Sequence, residues 1–167
     1  MIEVLLVVAI LAITASVALP TLSSADSKYL DIAANDLAQA IRFARSEAIR
    51  TGQPHGINLD ESDTRFRLYV YTSSAEYIVR NPLDKSLYQL NFGTGDSRVA
   101  IAQKAIKFQG LSVNYQSYIV FAGGTGVPVS GSAGSPKTLE SAEFVLQHGV
   151  DQRKVQVAPV SARVTVL

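Results

Sequence analysis

Residues 2–20 read IEVLLVVAILAITASVALP, and residues 21–52 continue as TLSSADSKYLDIAANDLAQAIRFARSEAIRTG. No charge interrupts residues 4–19, and only Thr14 and Ser16 are polar there. As a helix rising ~1.5 Å per residue the run is about 24 Å long, a little short of a ~30 Å hydrocarbon layer. Three readings compete for it. A secretory signal needs a basic segment in front, but Glu3 stands there instead. A buried core helix and a membrane helix remain. Apolar residues lie on every side of the run rather than on one stripe, which suits lipid or deep burial better than a half-wetted surface.

Pro20 closes the run and should kink or restart the helix, because it lacks an N–H and crowds the preceding turn. Beyond it Leu22, Ala25, Tyr29, Ile32, Ala33, Leu37, Ala40, Ile41, Ala44 and Ala48 recur in steps of about three and four, the spacing of one helical face. Asp26, Asp31 and Asp36 come early, and Arg42, Arg45 and Arg50 come late, as the helix macrodipole favours. Gly52 is a natural C-terminal stop. The expected organisation is an apolar helix over 1–20, its amphipathic continuation over 21–52, and a β-rich domain over 53–167.

After Gly52 the hydrophobic period falls from 3.6 to two. Phe66, Leu68 and Val70 alternate with Arg67, Tyr69 and Tyr71, giving a half-buried strand. Further strands are expected over 56–59, 77–80, 87–92, 99–101, 105–108 and 117–121. Turns are expected at 81–84 and 93–96, and a long loop over the Gly/Ser/Pro-rich 123–136. Strands 142–148 and 154–158 should pair across 149–152, with a last strand over 163–167. The fold class is therefore α+β: a long N-terminal helix, apolar then amphipathic, packed on an antiparallel β-sheet or sandwich, since neither surface is stable alone.

Composition narrows the function. Hydrophobic residues make up 47% of the 167, too many for a disordered chain. Charged residues are 17%, below the roughly 25% of soluble domains. The net charge of +1 gives no strong overall field, although residues 97–167 hold seven basic and three acidic side chains. Absence of cysteine excludes disulfides, thiol nucleophiles and cysteine metal sites. His55 and His148 have no partner at metal-binding spacing and read as surface or turn residues. There is no Gly-x-Ser-x-Gly elbow. The glycines at 123, 124 and 126 lack the Gly-Lys-Ser/Thr ending of a phosphate cradle and read as a plain loop. No catalytic residue, metal or cofactor is expected.

The N-terminal Ile2-Glu3-Val4-Leu5-Leu6-Val7-Val8-Ala9-Ile10-Leu11-Ala12-Ile13, with Pro20 downstream, resembles the helix that opens type IV pilins and pseudopilins. LAQAIRFARSEAIRTGQPHGINL at 37–59, Ile119-Val120-Phe121 before glycines, and Val157-Ala158-Pro159 with Arg163-Val164 resemble the minor pseudopilins called GspH/FimT. The likeness spans most of the chain. It departs at Met1, where the family has Gly-Phe-Thr-Leu after a basic leader, so a longer native start is expected. It departs again at Ala162, where the family often has glycine.

The resemblance implies a non-enzymatic minor pilin or pseudopilin of a type IV pilus or type II secretion pseudopilus, acting in initiation or at the tip. It implies other pilin subunits as partners, and a prepilin peptidase if a leader precedes. It implies a single-pass start in the inner membrane with a periplasmic β domain, then a place in an extracytoplasmic filament. On the residues alone, Glu3 either sits hydrated at a membrane edge or finds a cation; the resemblance implies pairing with a neighbouring subunit's N-terminal amine. The alternative is a DNA-binding minor pilin serving DNA uptake, with Arg153, Lys154 and Arg163 as contacts against the plainer reading of a solvated β surface.

Overall fold

The computed structural model describes residues 2–59, 65–71, 76–93, 98–111, 117–131 and 135–167, and their side chains except those of 15–26, 65–71, 76 and 77. One α-helix, α1, runs Ile2–Thr51, and Pro20 lies inside it. Among the described residues ten strands follow: β1 His55–Leu59, β2 Arg65–Tyr71, β3 Glu76–Ile78, β4 Gln89–Asn91, β5 Ala100–Phe108, β6 Tyr118–Phe121, β7 Pro128–Val129, β8 Leu139–His148, β9 Asp151–Val157 and β10 Val164–Val166. They form two antiparallel sheets. One has the order β3-β2-β1-β6-β7, with β4 sharing β2's outer edge; the other has the order β10-β9-β8-β5.

The second half of α1 packs on both sheets. Leu30, Ala34, Leu37, Ala38, Ile41, Ala44 and Ala48 are fully buried. Small alanines let the backbone approach closely, and Phe108, Phe121 and Phe144 from the sheets fill the space opposite. This corrects the expected stripe. Leu30 and Ala34 point inward, whereas Tyr29 and Ile32 are exposed and Ala33 is half-buried. At about 100° per residue Ile32 lies roughly 140° around the helix from Leu37, while Leu30 lies roughly 20° from it. Leu22 and Ala25 lie outside the described side chains, as does the alternation at Phe66, Leu68 and Val70.

Other boundaries change for identifiable reasons. The strands expected over 99–101 and 105–108 are one strand, β5, whose pairing with β8 shifts register between Ile101 and Gln103 and again between Lys107 and Phe108. Irregularities of this kind interrupt the two-residue alternation that sequence reading depends on. β9 begins at Asp151, so the β8–β9 loop is only Gly149-Val150, with Gly149 at φ 59°, as a two-residue loop with glycine first requires. The glycine-rich stretch contains β7, paired with β6; its residues 132–134, and 94–97 with the expected turn there, lie outside the described residues.

Candidate assembly surface

Among the described residues, the β domain leaves the first turns of α1 uncovered. From Ile2 to Ile13 every large apolar side chain is at least half exposed, from 84% at Ile2 to 50% at Val7. Leu5, Leu6, Val7 and Val8 turn to successive sides of the helix, so no face is covered. Past residues 15–26, which lie outside the described side chains, half-buried and buried positions are found from Ser27 and Leu30 onward, and Ser27 lies about 38 Å along the axis from Ile2 at 1.5 Å per residue. The intramolecular core-helix reading is therefore excluded for residues 2–14. Among the described residues no helix is long and apolar enough to cross a membrane. Glu3 lies in the first turn, where the helix dipole favours a carboxylate, and it is exposed.

The three cations named for DNA do not form one surface. β9 alternates, so Arg153 shares the inward-facing side of Val155 and Val157 while Lys154 shares the outer side with Gln156. Arg153 Nε donates to Asp31 Oδ1 at 2.6 Å, tying the β8–β9 hairpin to α1. Lys154 Nζ meets Glu143 Oε1 at 2.9 Å, and Gln156 donates to the other carboxylate oxygen at 2.9 Å. These bonds hold Glu143 below the usual carboxylate range. Arg163 lies at the far end of β9, just before β10.

The histidines are structural, and His55 is not on the surface. It is 3% exposed, with Nδ1 2.8 Å from the Gln53 carbonyl, a position that only a protonated nitrogen can use. His148 Nδ1 lies 2.5 Å from the Arg98 carbonyl. Among the described residues no group of three His, Cys, Asp or Glu is placed to hold a metal.

The glycine stretch also has a role that its sequence did not show. Gly124 N–H donates to Ala48 O at 2.9 Å, satisfying one of the carbonyls left open at the end of α1. Gly123 packs so tightly that a Cβ would stand 2.1 Å from Gly52 O. The loop thus meets a helix C-terminus, whose carbonyl-rich end repels phosphate, the reverse of a phosphate cradle. Nearby, Arg50 donates to Glu47 at 2.8 and 2.6 Å and holds its carboxyl below the usual range. On the opposite flank Tyr88 stacks on Phe43 at 5.3 Å, and burial there pushes the Asp36 carboxyl up.

The sequence pattern of the family described as "Type II transport protein GspH" matches residues 33–161, three quarters of the chain. The chain belongs to the GspH family. No curated protein matches it. Among solved structures it is similar to the minor pseudopilin EpsH from the type 2 secretion system of Vibrio cholerae, at 16% identity and TM-score 0.54, covering 83% of this chain and 95% of that one. It is also similar to the type IV minor pilin FimU of Pseudomonas aeruginosa, at 15% identity and TM-score 0.52, covering 84% and 90%. Those likenesses show the shared fold, a helix on antiparallel sheets. This GspH-family chain is a structural minor pilin or pseudopilin, an envelope-associated filament subunit that assembles with other subunits of its kind. The comparisons give the DNA-binding reading no support.

Proposed function

We propose that residues 1–20 are the part that leaves lipid and joins a filament core, that 21–52 dock this rod to the β domain, and that 53–167 present subunit-specific contacts outward at the tip or in initiation. The observation that carries this is the rod uncovered on all sides over residues 2–14. An apolar helix in that state needs a surrounding that it does not supply itself. In the inner membrane its ~24 Å run falls short of the ~30 Å hydrocarbon layer, and the mismatch weakens the lipid-held state. Packing against neighbouring helices exchanges one apolar surrounding for another, so the transfer costs little. Glu3 pairs there with a neighbouring subunit's amine, in a medium of low dielectric where the attraction is strong and fixes register. Pro20 loosens the helix where the rod leaves the domain.

The absence of native cysteine makes the test clean. A single cysteine at Val7 should cross-link to partner subunits in envelope preparations, and adding Leu11→Lys should abolish both cross-linking and envelope retention. Equal cross-linking and retention in the lysine variant would sink the reading.

A further inference from the structure

Arg42 and Arg45 near the end of α1 and Arg163 before β10, far apart in sequence, come together. Arg42, Arg45, Ser46 and Ile49 line one wall of an open groove of about 490 Å³, and Ala162, Arg163 and Val164 line the other. No carboxylate is among these lining residues. Arg42 and Arg45 are held in place. Arg42 Nη2 donates to the Val164 carbonyl at 3.0 Å. Arg45's stem lies under the glycine loop, where a Cβ on Gly126 would stand 3.1 Å from its Cγ. Arg163 follows Ala162, which at φ 51° sits in the left-handed region that non-glycine residues rarely adopt. Arg45 Nε is buried and has no hydrogen-bond partner among the described residues, a costly state that an arriving acceptor would relieve by a small turn of the guanidinium.

A guanidinium fork matches a carboxylate, which accepts two parallel hydrogen bonds. We propose that the groove binds an acidic side chain on a segment of another filament subunit, with Arg45 and Arg163 as the contacting cations and Arg42 positioning the β10 wall. The walls decide against nucleic acid. Ile49, Ala162 and Val164 are apolar, and a polyphosphate backbone needs a longer run of cations than this groove has. A peptide carrying an acidic residue beside an aliphatic one fits both the charge and the apolar lining. The proposal rests on the filament-subunit reading, but its test is made on the separate chain, so the two can fail independently.

The full chain in a neutral maltoside micelle, labelled to show arginine Nε–H signals by NMR, is titrated with three probes. These are the capped peptide Leu-Glu-Leu-Glu, its glutamine counterpart Leu-Gln-Leu-Gln, and an eight-residue oligothymidylate. The Arg45 Nε–H signal should shift saturably with the glutamate peptide and not with the glutamine peptide. Arg45→Gln and the exposed Arg163→Gln should each weaken binding at least tenfold, Arg163→Gln with its unfolding midpoint unchanged. An unmoved Arg45 signal, equal response to both peptides, unchanged binding in Arg163→Gln, or tighter binding of the oligothymidylate would each overturn the proposal.

Discussion

Gly123 illustrates how one residue secures a junction. Any side chain there meets the Gly52 carbonyl, so the loop must move and the Gly124–Ala48 hydrogen bond is lost with it. Gly123→Ala should lower stability by about 1–3 kcal/mol, measured by denaturant unfolding. Glu47 gives a pH signature. Its folded pKa lies below the ordinary 4.5, chiefly because Arg50 hydrogen-bonds the ionised form. Stability from the pair is therefore full above 4.5 and is lost as pH falls through the lowered value. Glu47→Gln should be less stable than the parent at pH 6 and should converge with it in strong acid, as thermal melts across that range would show. The Glu47–Arg50 pair is legible in the chain, because residues three apart on a helix are neighbours; the contact at Gly123 is not. The glycines stood out, but their partner at the helix end lies some seventy residues earlier, and only folding brings the two together.

At the scale of elements, α1 was the most legible part. Its apolar run, its late arginines and Gly52 fixed its extent, since each acts through near neighbours on the same helix. Its inward face was one residue out at the start, because Tyr29 and Ile32 are apolar enough to mimic a core stripe. Leu37, fully buried in the core, should cost about 2–5 kcal/mol on replacement by Ala. Ala44→Leu should cost about 1–3 kcal/mol by overpacking a contact that only a small residue fits. Both are checked by denaturant unfolding of the full chain in detergent. Strands were less legible. β5 reads as two strands because its register is irregular, and β7 leaves no signal because two residues carry no period at all.

For the whole molecule, the rod and the β domain are energetically separate over residues 2–14, because no described side chain there is buried. Ile10→Lys should therefore leave the unfolding midpoint of the β domain unchanged while lowering envelope retention severalfold, measured by fractionation and by melting of the same preparations. An equal loss of both would mean that the rod folds onto its own domain. The sequence by itself determined the helix, its division into an apolar and an amphipathic half, and the β character of the rest. All of these follow from periodicity and composition, which act over neighbouring residues. Only the tertiary structure decided which charges meet. It gave Arg153 to Asp31 and Lys154 to Glu143, and it gathered Arg42, Arg45 and Arg163 around one groove. Partnerships between residues so far apart in the chain are set by strand order and register, and these are fixed only when both sheets close on the helix.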